Sequence, residues 1–185
     1  MPVSSLPSRT GVGEMGAEAY HFLTLLKESG IKIWQILPMN PVGYGNSPYQ
    51  PYSSCAGDEL YISLDTLYEE GLLKERPEGF HEYATKVDYD AVRLHKEPYL
   101  REAFQAFLTS GGCGTKKYQE FADQSWVYEY GAFRALKKAN GGCCWNEWKQ
   151  EDKMWPDART DLAPELETEV QYHICFYSMY FSVSG

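Results

Sequence analysis

The sequence has no run of lysine or arginine and no basic stripe, and its formal charge is −9 at pH 7. A chain of that sign is repelled by phosphate backbones, so nucleic acid is not expected as a partner. No basic-then-apolar stretch of the secretory kind stands at the N-terminus. The most apolar segment, residues 170–183, is too short to span a bilayer and is broken by Gln171, His173 and Ser178. No membrane is expected, and a cytoplasmic protein is the default reading. Cysteine is scarce and unpatterned: Cys55, Cys113, Cys143, Cys144 and Cys175 are odd in number, without CxxC or Cys/His spacing of the zinc kind. They read as free thiols, with neither a disulfide framework nor a metal site. His21, His81, His95 and His173 have no neighbouring Cys or Asp constellation, so a structural role is expected of each. Internal repeats and low-complexity tracts are absent as well.

What is present suits a folded chain. At 185 residues there is room for a sizeable core, and a hydrophobic fraction of 43% separates the sequence from disordered chains. Aromatic residues make up 15%, enough both to fill a core and to line a carbohydrate cleft.

Helix and strand patterns follow one another from the start. Residues 1–7 suit the tail of a strand entering a loop. In residues 17–29, Ala19, Phe22, Leu23 and Leu26 fall at i, i+3, i+4 and i+7, and Gly30 supplies a stop. Residues 31–37, Ile-Lys-Ile-Trp-Gln-Ile-Leu, are rich in β-branched side chains and end at Pro38, which predicts a strand buried on both faces. Strand tail, helix and strand open a βαβ unit, whose two common homes are a doubly wound sheet and a (β/α)8 barrel. After residue 58 the pattern turns helical, with helices predicted over residues 65–74, 98–108, 117–122 and 126–138. The last of these is closed by Asn140-Gly141-Gly142. A final helix over residues 165–181 carries Leu166, Val170, Ile174, Tyr177 and Phe181 on one face.

Residues 38–58 form a long segment rich in Gly, Pro, Asn, Ser and Tyr, leaving the carboxyl end of the predicted strand, where α/β active sites sit. Glycines let a backbone approach a ligand, tyrosine faces cover the apolar side of a sugar ring, and hydroxyls and amides pair with its oxygens. Composition alone favours a Pro/Tyr-rich structural loop.

Five motifs stand in order over the first 60 residues: Ser4-Ser5-Leu6-Pro7-Ser8, Gly11-Val12-Gly13, Trp34-Gln35-Ile36-Leu37-Pro38, Gly43-Tyr44-Gly45-Asn46-Ser47-Pro48-Tyr49-Gln50 and Ala56-Gly57. Together they resemble the N-terminal signature of the amylomaltases, the 4-alpha-glucanotransferases. Weaker likeness continues through Leu60 to Asp65, Glu70 to Leu73, Val87-Asp88-Tyr89 and Phe133-Arg134-Ala135-Leu136.

The resemblance implies an α/β fold, an incomplete (β/α)8 barrel with a mainly helical insertion. Residues 1–58 would be the start of the barrel and its active-site loop, 59–164 the insertion, and 165–185 a barrel-associated helix. It also implies transfer of α-1,4-glucan segments between maltodextrins, with retention of anomeric configuration through an aspartate nucleophile and a glutamate acid/base, and no cofactor. Those carboxylates would lie downstream of residue 185, so no catalytic residue is assigned. Ser47 and Tyr49 match positions near the donor-side sugar, and Tyr44 a secondary glucan contact. The competing expectation is a non-catalytic, truncated chain that binds sugar weakly. Trp145, Trp148 and Trp155 are expected to be packing anchors, and Glu147, Glu151, Asp152, Asp157 and Asp161 a solvated face.

Overall fold

In the computed structural model, residues 1–80, 86–157 and 161–183 are described; His81, and the side chains of Tyr44 and residues 179–183, lie outside the description. The regular elements are helices: α1 (Ala17–Glu28), α2 (Leu64–Glu69), α3 (Tyr89–Thr109), α4 (Lys116–Ala122), α5 (Ser125–Ala139), α6 (Gln150–Lys153) and α7 (Pro164–Val183), with short 3₁₀ turns between them. The chain divides into two compact units, Met1–Gly112 with Met179–Gly185, and Cys113–Ser178.

The predicted strand over residues 31–37 is not part of a sheet. Its backbone is non-helical, but the β pairing found among the described residues is one antiparallel bridge, Val42 to Pro51. A strand exists only through its ladder, and no described segment forms one with residues 31–37. Instead of being buried on both faces, Ile31, Ile33, Ile36 and Leu37 are exposed, Ile33 at 83%. The expected strand tail at the N-terminus is likewise replaced by a 3₁₀ turn, Val3–Ser5.

In the first unit, Val3, Leu6 and Ala19 are buried together, with Met15, Phe22, Trp34, Met39 and Tyr61 packed against them. Phe22 and Trp34 meet edge to face at 4.9 Å, and Trp34 Nε1 donates to the Met1 carbonyl at 2.8 Å. Gly13 is required here by space: a Cβ would lie 1.9 Å from the Val3 carbonyl oxygen. Helix α1 stops where the pattern placed its end, with Gly30 at φ 75°. Its apolar stripe is only partly covered, however, for Ala19 is buried and Leu23 is exposed.

Helix α3 begins nine residues before its expected start at Pro98. Proline favours the first helical turn, which is why the sequence suggests a boundary there. Two features override it. Asp88 caps the true start by accepting from Ala91 N at 3.0 Å, and Val92, Lys96, Leu100, Ala103 and Phe104 form one buried stripe running straight past the proline. Conversely α2 is shorter than the predicted 65–74, ending at Glu69.

In the second unit α4 and α5 match their predicted spans closely, and Asn140 closes α5 by donating Nδ2 to the Leu136 carbonyl at 2.9 Å. The Val170 side chain approaches the position a Gly131 Cβ would take to 3.0 Å, so α5 and α7 touch where a glycine allows it. The predicted single apolar face of α7 is also too narrow: every residue from Tyr172 to Ser178 is buried. A helix wrapped on all sides needs no stripe. Trp148 is buried, with its Nε1 donating to the Cys143 carbonyl at 3.2 Å. Trp145 is 63% exposed and so is no packing anchor. Asp152 departs from the solvated face expected of it; it is buried and accepts from Asn140 Nδ2 at 2.8 Å.

Candidate functional site

Residues 38–58 close on themselves in three steps. At the base, Asp58 N donates to the Met39 carbonyl at 2.9 Å and Asn40 Nδ2 to the Ala56 carbonyl at 2.8 Å. Further out, Tyr52 N donates to the Pro41 carbonyl at 2.8 Å and Gly43 N to the Gln50 carbonyl at 3.4 Å, the latter flanking the Val42–Pro51 bridge. Ser53 Oγ, accepting from Cys55 N at 3.1 Å and Ala56 N at 3.2 Å, turns the return limb. Backbone groups that a long loop would leave to water are thus paired within it.

The tip carries the residues singled out from sequence. Tyr44 begins a 3₁₀ turn, Tyr44–Asn46, in which Gly45 has φ 79° and Asn46 φ 52°. Both values lie in the left-handed region that Gly and Asn tolerate best. Ser47 is half-buried, and its Oγ accepts from Tyr49 N at 3.4 Å while its carbonyl accepts from Gln50 N at 3.1 Å. Tyr49 follows at 73% exposure. The structure therefore brings Ser47 and Tyr49 together on one turn, with Tyr44 three residues earlier in the same tip.

What the sequence did not reveal is how the loop is held. Asp58, at its exit, is buried and receives Arg93 Nη1 on Oδ1 at 2.9 Å and Nη2 on Oδ2 at 2.7 Å, while Oδ1 also accepts from Leu60 N at 2.9 Å. Three residues along α3, Lys96 Nζ donates to the Leu60 carbonyl at 2.7 Å, the Ile62 carbonyl at 2.6 Å and Glu14 Oε1 at 2.6 Å. Thr10 Oγ1 donates to the same Glu14 oxygen at 2.6 Å. Burial pushes the Lys96 ammonium down from its usual range, and Glu14 opposes that shift. The one available signal was the i, i+3 spacing of Arg93 and Lys96; their partners lie 35 and 82 residues away.

Chemically, the loop tip offers an aromatic ring, hydroxyls and peptide groups. The sole carboxylate in residues 38–58, Asp58, is committed to Arg93. Among the described residues no group of three or more His, Cys, Asp or Glu could hold a metal ion, and no helix is long and apolar enough to cross a membrane.

Comparison with known proteins adds a family. The profile of the 4-alpha-glucanotransferases (glycosyl hydrolase family 77) matches residues 1–182. The chain is 39% identical over 171 residues to the 4-alpha-glucanotransferase of Thermus thermophilus, covering 88% of this chain and 34% of that protein. It is 38% identical over 182 residues to that of Synechocystis sp., covering 92% and 35%. Among solved structures it is similar to the amylomaltase from Streptococcus agalactiae in complex with acarbose, with a TM-score of 0.87 and 27% identity over 99% of this chain and 38% of the other. The chain thus spans about a third of the length of the curated relatives it matches.

Proposed function

This chain belongs to the 4-alpha-glucanotransferase family, and we propose that it forms the N-terminal part of an enzyme that transfers α-1,4-glucan segments between maltodextrins. The supporting observation is the loop of residues 38–58, with a hydrogen-bonded base and a tip that presents Ser47 and a 73%-exposed Tyr49. A donor-side sugar would lay its apolar face on the Tyr49 ring and set its hydroxyls against Ser47 and the loop peptides. Tyr44, on the same tip, would meet a second stretch of glucan.

In this reading the protein makes no use of a metal or organic cofactor, and its reaction retains anomeric configuration through a glycosyl-enzyme. Retention needs a nucleophile and an acid/base about 5–5.5 Å apart, flanking the scissile bond. With Asp58 engaged by Arg93, the loop has no free carboxylate for either role. The chain would contribute substrate positioning, and the carboxylates would come from sequence that corresponds to the remaining two-thirds of its relatives. Residues 31–37 would be the second strand of a (β/α)8 barrel, residues 1–58 its beginning, 59–164 a helical insertion and 165–185 a helix laid against the barrel. Cytoplasmic residence accords with soluble maltodextrin substrates.

Titration of the chain with maltoheptaose, followed by calorimetry and by the NMR signals of the tyrosine rings, tests the binding half of the proposal. Saturable binding that Tyr49→Ala weakens by about 1–3 kcal/mol is the expected result, the range for losing an aromatic or polar contact. Binding that is indifferent to Tyr49, Ser47 and Tyr44 would move the sugar contact elsewhere.

A further inference from the structure

Two cations on α3, three residues apart, grip one short stretch of chain, Arg93 by a side chain and Lys96 by the backbone. Arg93 forks onto Asp58, and Lys96 takes the carbonyls of Leu60 and Ile62. That stretch is the exit limb of the loop bearing Ser47 and Tyr49. Asp58 joins the two limbs, because its own N–H bonds to the Met39 carbonyl at the loop's entrance. A pull on Asp58 is therefore a pull on both ends of the loop.

The two grips differ in depth. Lys96 and Glu14 are nearly inaccessible, with side-chain exposures of 1% and 9%, and hold the segment to the interior. The Arg93 side chain is 29% exposed while Asp58 is 1% exposed. Removing Lys96 would thus damage the core, whereas removing Arg93 would act at the loop's base. A bidentate guanidinium–carboxylate pair fixes angle as well as distance, which a single ammonium contact does not.

We propose that Arg93 is a positioning residue for glucan binding: by fixing Asp58 it sets the height and angle at which the loop presents Ser47 and Tyr49. The inference rests on the glucan reading of that loop given above. The action assigned to Arg93 runs through its grip on Asp58 and not through contact with substrate.

Hydrogen exchange read by mass spectrometry on the 185-residue chain, together with maltoheptaose titration, tests it in Arg93→Met, Arg93→Lys and the double variant Asp58→Asn/Arg93→Met. In Arg93→Met the amides of residues 40–57 should exchange about ten-fold faster while those of α5 stay within about two-fold, since local opening is separable from global unfolding. Maltoheptaose binding should weaken in step, and Arg93→Lys should recover part of both. The double variant removes the buried unpaired carboxylate, so its thermal midpoint should return toward the parent's while the loop stays loose. The proposal is overturned if loop exchange is unchanged in Arg93→Met, if it rises only in parallel with α5, or if the double variant restores a tight loop. A parent chain that binds no maltoheptaose, yet whose loop responds to Arg93→Met, removes the glucan reading and supports the mechanical link. A parent that binds maltoheptaose, with Arg93→Met binding it equally well, keeps the glucan reading and removes the positioning role.

Discussion

Lys96 and Glu14, separated by 82 residues in sequence, meet at 2.6 Å in the interior of the first unit. Each has further partners: the ammonium has two carbonyls besides the carboxylate, and the carboxylate has the Thr10 hydroxyl. Breaking one side of such a pair leaves a buried charge, at a cost of about 3–5 kcal/mol. Glu14→Gln and Lys96→Met should each destabilise the first unit by amounts of that order. In Glu14→Gln/Lys96→Met no charge is orphaned, and the loss should be clearly smaller than the sum of the two. Chemical denaturation of the four proteins checks this; additive losses would mean that the two groups do not depend on each other.

These pairs also mark the limit of what the sequence could disclose. Helices α1, α4, α5 and α7 were legible from local apolar spacing, with Gly30 closing α1 and Asn140 closing α5. The start of α3 was not, since Pro98 carries a boundary signal that the buried stripe from Val92 to Phe104 overrides. Residues 31–37 read as a strand by composition, but pairing is a property of two segments, and the second is not among those described. The Gly/Pro/Tyr-rich loop with Ser47 and Tyr49 stood out by composition and by family likeness. Its anchoring through Asp58 and Arg93 did not, because a lone Asp and a lone Arg 35 residues apart carry no periodic signature.

Gly13 offers a steric test. A methyl group there would lie 1.9 Å from the Val3 carbonyl oxygen, and backbone on that side has little freedom to give way, since Gly13 N donates to the Ser4 carbonyl at 3.0 Å. Gly13→Ala should cost at least about 1–3 kcal/mol, the usual range for overpacking. Gly114→Ala, at a position with open space around its missing Cβ, is the matched control and should cost far less. Equal thermal midpoints for the two variants would show that residues 3–5 move aside freely.

Tyr128 donates its hydroxyl to Glu167 at 2.5 Å. Partial burial and then this bond to a carboxylate hold the phenol up at about 12, against its ordinary 10.0. The folded state therefore keeps a proton that the unfolded chain gives up first. Stability from this group is present in full below pH 10 and is lost as pH rises from 10.0 toward about 12. In urea titrations across that range, the stability difference between the parent and Tyr128→Phe should shrink as pH rises. A difference that is flat with pH would detach the phenol from its bond to Glu167.

The five thiols should separate by reactivity. Cys55 and Cys144 are exposed, whereas Cys175 is buried and its thiol is pushed up by that burial and then by the nearby Cys113. The thiolate is the reacting species, so both access and ionisation disfavour Cys175. Brief treatment of the native chain with a maleimide, followed by peptide mass spectrometry, should label Cys55 and Cys144 first and Cys175 only on unfolding. Early labelling of Cys175 would mean that α7 opens far more readily than its burial implies.

The last prediction concerns the exposed apolar surface of the first unit. Ile31, Ile33, Ile36 and Leu37 on the extended segment, and Leu23 and Leu25 on α1, are all exposed, and no backbone ladder partner is found for residues 32–37 among the described residues. Apolar side chains beside peptide groups that have no ladder partner among the described residues combine the two features that draw another chain onto a strand edge. The chain on its own should therefore self-associate with rising concentration, as followed by size-exclusion chromatography with light scattering. Ile33→Lys sets a charge on the most exposed of these side chains, at 83%, and should shift the equilibrium toward monomer. Leu94 is 72% exposed but lies on α3, outside both segments, so Leu94→Lys separates a specific edge from general surface hydrophobicity. If Leu94→Lys relieves association as well as Ile33→Lys does, the edge at residues 31–37 is not its cause. A parent chain that stays monomeric throughout, with residues 32–37 among its best-protected amides, would show that this segment has found a pairing partner within the chain.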